Sequence, residues 1–260
     1  MSPFTFVAMT YNLWGGHRLA ERTPALRSLF EVRSPDVVGV QELHPESRAL
    51  IDAALPDHDR VHDDFPGWAT QGNIWWRRGL FELDEYGADD VGIRSENARL
   101  FWARLRPIGR DGLPALVFST AHLTWPGHPQ ERADDVNPRV KQARNVVAAL
   151  DRIASDGPCV FGVDINDYAR PVWAMREGGF RDSFAALGAS SPVTHPVLPL
   201  IEPGDGWTAP PATQKAIDWL YHRGPIRARC SEVIDFFYEG RAPSDHKPVT
   251  AAYTLEVTAP

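Results

Sequence analysis

Several short apolar runs of this sequence end in side chains that a protein core rarely uses. An ionised carboxylate that enters an apolar interior needs a partner, so such groups are paired, hydrogen-bonded or bound to a metal. The ends of strands in α/β sheets converge on a crevice, so we expect these distant residues to share one site. The polar residues concerned are Asn12, Glu42, His122, Asp164, Asn166, Asp218, Asp245 and His246.

A hard divalent cation is the partner that suits this set of oxygens. Mg²⁺ prefers carboxylate, carboxamide and water oxygens, and it takes one or two protein carboxylates together with substrate phosphate. Glu42 is the first choice of ligand, and Mn²⁺ is an acceptable substitute for Mg²⁺. Zinc is not favoured, because no segment has the density of His or Cys that a tetrahedral site needs.

The histidines suggest proton transfer beside that cation. His246 directly follows Asp245, but neighbours on a strand point to opposite faces, so its orienting carboxylate should come from another strand. Asp218 is the candidate. A histidine held by a carboxylate can remove a proton from water. His122, as imidazolium, could instead hydrogen-bond phosphoryl oxygens as charge accumulates in the transition state.

Each of these residues taken alone has an ordinary explanation. Asn12 could be a turn residue, Glu42 a charge at a helix entry, and His122 a satisfied core histidine. The hypothesis of a site depends on their joint occurrence at the ends of apolar runs.

The apolar runs predict strands, and periodic segments between them predict helices. The strands are expected at 4–12, 36–42, 115–122, 159–166, 216–223 and 246–257, and the helices at 23–33, 47–55 and 138–154. In the last helix Val140, Ala143, Val147 and Leu150 should share one face. This interleaving indicates a layered α/β domain, and we expect one domain over residues 1–260.

Two stretches rich in Pro, Gly and Asp, 56–73 and 188–213, should be irregular. Long ordered loops in compact domains are often functional, so we expect a semi-rigid rim around the site. Surface variation is the alternative.

Composition narrows the class of protein. The formal net charge is −7, which argues against binding nucleic acid through a broad basic surface but leaves a local basic groove open. The two cysteines, Cys159 and Cys230, are expected to be buried free thiols. With no long apolar run and no secretory signal, a soluble cytoplasmic protein is expected.

Six motifs, in order across residues 9–249, resemble the endonuclease/exonuclease/phosphatase superfamily. They are MTYNLW, VGVQEL, STAHLTW, VDIND, AIDWLYH and PSDHKPV. The resemblance implies a four-layered α-β-β-α sandwich, in which two packed mixed β-sheets are flanked by helices. It also implies Mg²⁺-dependent hydrolysis of phosphoester bonds.

The resemblance also implies roles for individual residues. Asn12, Glu42 and Asp245 match the metal side, and His246 with Asp218 matches the catalytic base and its carboxylate. His122 matches a phosphate-contacting position. Asp164 and Asn166 match positions that orient the nucleophile or leaving group and the phosphate.

The sequence departs from the family pattern at two points. The usual Gly-Asp-Phe-Asn is replaced by Val163-Asp164-Ile165-Asn166, with the glycine displaced to Gly162. The carboxylate that supports the histidine of the third motif in several members is missing, so Gln71 or Asn73 would have to support His122.

The substrate stays open between a nucleic acid and a smaller or lipid phosphoester. Arg170 could reach a phosphate, and Trp125 could serve as a stacking platform. Further parts of such a groove would be His128, Arg139, Arg144 and Trp207. No obligate protein partner and no membrane segment are indicated. A binding protein that kept the fold and lost turnover is the principal alternative, and a scaffold that uses its tryptophan-bearing loops is another.

Overall fold

Two six-stranded sheets pack face to face in this protein. The computed structural model describes residues 3–198 and 213–256. The first sheet is built, in chain order, from β1 (Phe4–Asn12), β2 (Val37–Gln41), β3 (His58–Arg60), β4 (Gly72–Arg77), β11 (Ile226–Val233) and β12 (Val249–Leu255). The second contains β5 (Phe81–Asp89), β6 (Leu100–Pro107), β7 (Leu116–His122), β8 (Cys159–Asp164), β9 (Arg181–Asp182) and β10 (Asp218–Arg223).

Both sheets are mixed. The spatial order is β11-β12-β1-β2-β4-β3 in the first sheet and β5-β6-β7-β8-β10-β9 in the second. One parallel pair lies in each, β1 with β2 and β7 with β8, and the other pairings are antiparallel. The helices are α1 (Leu19–Arg33), α2 (Pro45–Ala54), α3 (Gly67–Thr70), α4 (Pro129–Asp134), α5 (Arg139–Ala154) and α6 (Arg170–Glu177).

Three apolar clusters separate four layers. One cluster lies between the sheets and contains Phe6 and Phe118. A second joins α1 and α2 to the outer face of the first sheet, and a third joins α5 and α6 to the outer face of the second sheet. The four-layered sandwich of two mixed sheets flanked by helices is therefore confirmed.

Strand alternation decides which side chains point between the sheets. Successive side chains on a strand face opposite sides. In β8, Val160 belongs to the cluster between the sheets, whereas Phe161 and Val163 pack under the helices. Asp164 has the parity of Val160, so it points into the space between the sheets at the strand end.

One expectation about local structure was wrong. The stretch 56–73 is not wholly irregular, because it contains β3, α3 and the first residues of β4. On the face expected for α5, Ala143 and Leu150 are buried, Val147 is partly buried and packs against the apolar cluster under the second sheet, and Val140 is partly buried. Of the second irregular stretch, residues 199–212 lie outside the described ranges.

The cysteines also differ from expectation. Cys159 is buried and free, and burial raises the pKa of its thiol to about 12. Cys230 is free but exposed, and it lies next to a bulge in β11. In the part of the chain that the structure describes, no helix is long and apolar enough to span a membrane.

Candidate active site

Strand register brings the predicted polar residues together at one end of the sandwich. Asp164 pairs with Asp218 on one side and with His122 on the other. In the first sheet, Asn12 ends β1 opposite Gln41, the last residue of the neighbouring strand β2, and Glu42 follows Gln41 directly. The inner-face positions at these strand ends thus surround a common space between the two sheets.

His246 and Asp218 form a buried pair at the centre of this space. Nδ1 of His246 lies 3.0 Å and 2.9 Å from the two carboxylate oxygens of Asp218. Nε2 lies 3.8 Å from Oδ2 of Asp164 and 3.9 Å from Oδ1 of Asp245. The Asp218 carboxylate therefore fixes the ring through Nδ1 and directs Nε2 towards the other carboxylates.

Asn12 holds two carboxylates with one amide group. Its Nδ2 donates to Oε1 of Glu42 at 3.1 Å and to Oδ2 of Asp164 at 2.9 Å. Its Oδ1 accepts the backbone N–H of Trp14 at 2.9 Å, which identifies the oxygen end of the amide. The amide oxygen of Asn12 therefore points away from the two carboxylates. A cation bound between those carboxylates could be ligated by Asn12 only through this oxygen, so the arrangement does not favour Asn12 as a ligand.

His122 is supported by Asn166. Nδ2 of Asn166 donates to the backbone carbonyl of Leu123 at 2.9 Å and lies 2.8 Å from Nε2 of His122. Because a carbonyl only accepts, the amide nitrogen is the donor, and Nε2 of His122 is the acceptor. The imidazolium role expected for His122 would require this bond to be released.

Neither proposed substitute for the missing supporting carboxylate hydrogen-bonds His122. Asn73 donates to the backbone carbonyls of Val61 and Trp68, so its amide N–H groups are already used in local hydrogen bonds. Gln71 lines a small cavity together with His122 but forms no hydrogen bond to it within the described residues. The expectation for Asn73 was therefore wrong.

The charges in the centre shift the pKa values of its members. Burial alone would lower the pKa of His246, but the surrounding carboxylates, led by that of Asp218, outweigh burial and raise it well above its ordinary value. Burial, assisted by repulsion from Asp218, raises the pKa of Asp164. The carboxylates thus outnumber the cationic groups near them, and a bound cation would relieve both shifts.

Two residues in the centre have left-handed backbones although they are not glycine. Glu42 has a φ of 50° and Asn166 a φ of 54°. Such conformations cost about 1–3 kcal/mol and persist where the surrounding structure holds them, frequently at functional sites. Each residue directly follows or closely follows a buried strand, so the turn aims its side chain into the centre.

Arg22 and Ser244 support the site and were not recognised in the sequence. The buried guanidinium of Arg22 donates to the backbone carbonyls of Leu13 and Pro243. Ser244 Oγ donates to the carbonyl of Asn12 at 2.8 Å and accepts the backbone N–H of His246 at 3.2 Å. Together they tie the end of β1 to the loop that carries His246.

An open cavity of about 590 Å³ lies beside the centre. Asn166 and Arg170 line it, as expected for a substrate-contacting arginine, and so does Lys215. Pro126 of the tryptophan-bearing loop lines this cavity. Its neighbour Trp125 does not; it packs against the ring of His128 and is 44% exposed. The structure therefore places Arg170 beside the centre but not Trp125. Trp207 lies outside the described residues.

His195 was also missed. It belongs to the stretch expected to form a rim, and its ring centroid lies 4.4 Å from that of His246. Nothing in its spacing links it to the other motifs, because its position depends on a backbone bridge to Lys215.

Comparisons with known proteins identify the family of this chain. The sequence model of the endonuclease/exonuclease/phosphatase family matches residues 9–246. A search of curated proteins finds no match.

Solved structures with the same architecture are numerous. A family protein from Bacteroides thetaiotaomicron is 18% identical, with a TM-score of 0.77 and coverage of 98% of this chain and 100% of that one. A humanised D. rerio TDP2 is 20% identical, with a TM-score of 0.73 and coverage of 96% and 98%. A mannosyl-6-phosphatase from Bacteroides thetaiotaomicron is 17% identical, with a TM-score of 0.73 and coverage of 95% and 98%.

At these identities the solved structures show the fold alone, and the family is shown by the sequence model. The strand-end residues and the His246–Asp218 pair both lie inside the matched range. This chain belongs to the endonuclease/exonuclease/phosphatase family and with it to the phosphoester hydrolases.

Proposed function

We propose that this protein is a Mg²⁺-dependent hydrolase in which the His246–Asp218 pair activates the water that attacks a phosphoester. The observation that carries the proposal is the meeting of this pair with the Asp164 carboxylate. Nε2 of His246 lies 3.8 Å from Oδ2 of Asp164, which in turn shares the amide of Asn12 with Glu42. A base and a carboxylate cluster thus share one cleft.

The carboxylates fit a hard divalent cation. Glu42, Asp164 and Asp245 supply oxygen donors, and the raised pKa of Asp164 reflects its burial and the excess of negative charge around it. Mg²⁺, with Mn²⁺ as a substitute, would neutralise this charge and that of a phosphate group. Asn12 takes the role of positioning Glu42 and Asp164 rather than that of a ligand.

The proton moves through His246. Asp218 accepts a hydrogen bond from the Nδ1–H and thereby fixes the orientation of the ring, and a cation held by the neighbouring carboxylates would lower the raised pKa of His246 and leave Nε2 a free acceptor. Nε2 takes the proton of the attacking water, and Asp218 stabilises the imidazolium that results. On the opposite side of Asp164, Asn166 holds His122, and release of that bond would allow both side chains to hydrogen-bond the phosphate and orient it.

The cavity beside the centre receives the remainder of the substrate. Arg170 is exposed in its wall, and the Lys215 ammonium lies 5.6 Å from the ring centroid of Tyr168. Within residues 3–198 and 213–256 neither cation forms an ion pair. Both are available to a second anionic group, which nucleic acids and polyphosphorylated small molecules each carry. A D. rerio TDP2 structure holds a single-strand DNA product, and the mannosyl-6-phosphatase is named for a sugar phosphate.

A substrate panel tests the proposed function. Single-stranded DNA, RNA, bis-p-nitrophenyl phosphate, p-nitrophenyl phosphate, sphingomyelin and inositol phosphates are incubated with Mg²⁺, with Mn²⁺ and with EDTA. We expect cleavage of at least one phosphoester that Mg²⁺ supports and EDTA abolishes. Cleavage that EDTA leaves unchanged would exclude the metal-dependent mechanism, and a lack of cleavage across the panel would favour a binding protein that has kept the fold.

A further inference from the structure

Three nitrogen and oxygen donors cluster at the edge of the catalytic centre. Nε2 of His195 lies 3.6 Å from Oδ2 of Asp245, and Nε2 of His246 lies 3.9 Å from Oδ1 of the same carboxylate. One donor atom from each residue can be chosen so that all lie within 4.8 Å of one another. Asp245 and His246 are buried, whereas the His195 side chain is 22% exposed.

The backbone of His195 is fixed on both sides. Its N–H donates to the carbonyl of Lys215 at 3.0 Å, and the N–H of Lys215 donates back to its carbonyl at 2.7 Å. The N–H of Val197 donates to the carbonyl of Asp245 at 2.8 Å. The segment that carries His195 is therefore hydrogen-bonded to the residues that precede β10 and to the loop that contains Asp245. These bonds hold the three donors near one another before any ligand binds.

The donor types favour a borderline transition metal over Mg²⁺. Two imidazoles and one carboxylate are the ligand set of several catalytic zinc sites, whereas Mg²⁺ prefers oxygens alone. Zinc bonds of about 2.0–2.1 Å in tetrahedral geometry place neighbouring donors roughly 3.3 Å apart. The separations of 3.6 Å and 3.9 Å need only small side-chain movements to reach that value.

The surroundings also match those of a zinc ligand. The Asp218 carboxylate binds Nδ1 of His246 at 2.9 Å and leaves Nε2 as the donor, which is the carboxylate–histidine arrangement that orients zinc-bound imidazoles. His195 lines the open cavity, so a fourth ligand position would face solvent.

We propose that His195, Asp245 and His246 form a Zn²⁺ site, and that Zn²⁺ bound there inhibits the enzyme. Zn²⁺ on Nε2 of His246 would release the proton held there to solvent and occupy the lone pair that the proposed base needs for proton transfer. Glu42 and Asp164 take no part in this site, whereas Asp245, one of the proposed Mg²⁺ donors, is common to both. Binding stands on the geometry alone, and only its inhibitory consequence rests on the proposed function.

Calorimetry on the full chain tests the binding. Protein stripped of metal with a chelator is titrated with ZnCl₂ in the presence of Mg²⁺, and in a parallel experiment with CoCl₂ while the visible absorption of tetrahedral Co²⁺ is followed. We expect one Zn²⁺ per chain in the wild type and an affinity at least about tenfold lower in His195→Gln and in His195→Asn. His62→Gln, which removes an exposed histidine that lies 3.3 Å from Asp59, should leave the affinity unchanged.

Thermal unfolding without zinc verifies that the variants fold. Zn²⁺ should raise the Tm of the wild type and of His62→Gln, but should raise that of a folded His195 variant less, because only binding to the native state is stabilising. Equal Zn²⁺ affinity in the wild type and both His195 variants, or no Zn²⁺ binding by the wild type, would overturn the proposal.

Inhibition is measured separately, with each variant compared with its own zinc-free rate. We expect the wild type to lose phosphoester turnover as Zn²⁺ is added, and the His195 variants to need at least about tenfold more Zn²⁺ for the same loss. Zinc binding that depends on His195 without any turnover in the substrate panel would leave the site intact and reject the proposed function. Turnover that Zn²⁺ does not affect, with the site filled, would reject the inhibition.

Discussion

Nδ1 of His246 lies 2.9 Å from Oδ2 of Asp218, although the two residues are 28 positions apart and stand on different elements. Both side chains are almost completely buried. The carboxylate therefore holds the imidazole in one orientation, and Nε2 is left to face the cleft between the sheets.

Replacing Asp218 by Asn tests this relationship. Both carboxylate oxygens of Asp218 accept from Nδ1–H, whereas an amide offers one acceptor oxygen and one donor nitrogen. The ring can then adopt the tautomer that carries its proton on Nε2, and we expect kcat to fall about 10²-fold or more. Asp151→Asn, which removes an exposed carboxylate paired with Arg223, is the control and should keep the wild-type rate. Unchanged kcat in Asp218→Asn would remove that residue from the mechanism.

The cations of the cavity should act on substrate affinity rather than on chemistry. Arg170→Gln and Lys215→Gln are each expected to raise KM about 3- to 10-fold for a substrate with a second anionic group. The KM for p-nitrophenyl phosphate, which has no such group, should stay constant. The control is Arg27→Gln, which removes one positive charge from an exposed position of α1, in the helix layer on the first sheet, and should leave both KM values unchanged. Equal effects on both substrates would argue against the assignment of this cavity.

Buried His222 should make the fold sensitive to acid. Burial lowers its pKa to about 4, and its Nδ1 has no hydrogen-bond partner in the described part of the chain. Because the folded-state pKa lies below the unfolded value of about 6.5, the stabilising contribution is present above that value and is lost as the pH falls towards 4.

Urea unfolding measures this loss. Between about pH 7.5 and about pH 5, His222 should account for about 2 kcal/mol of the decrease in the free energy of unfolding. His222→Phe should decrease less steeply over that range, while His62→Gln, at an exposed histidine, should follow the wild type. Identical slopes in all three proteins would contradict the lowered pKa.

The displaced glycine of the fourth motif has a structural role. A Cβ on Gly162 would lie 2.8 Å from Cβ of Thr10 across the two sheets. Overpacking of this kind costs typically 1–3 kcal/mol, so Gly162→Ala should lower the Tm by roughly 2–4 °C for each kcal/mol. Gly79, which has nothing within 4 Å of such a Cβ, is the matched control for thermal unfolding, and equal Tm values in the two alanine variants would disprove the tight contact.

The strand-borne part of the site could be predicted from the sequence because it depends on local pattern. An apolar run followed by Asp164 predicts both a strand and the burial of that carboxylate, and alternation decides the face. Strands without a clear apolar run were not predicted, among them the edge strand β5, which is largely polar and exposed.

The loop-borne part of the site could not be predicted, because its contacts arise only when the chain is folded. Arg22 donates to backbone carbonyls up to 221 positions away, and His195 reaches the centre through its bridge to Lys215. Helical periodicity placed Ala143, Val147 and Leu150 towards the core of the second sheet, but it could not specify that Val147 packs over Gly178.

The most direct test of the account compares phosphoester turnover and Mg²⁺ affinity in the wild type, Glu42→Gln and His246→Gln. Both variants should lose at least about 10²-fold in kcat, because each lacks one half of a shared centre. Calorimetry should show weakened Mg²⁺ binding in Glu42→Gln alone. Wild-type turnover in either variant would contradict the claim that Glu42 and His246 act together on one phosphate.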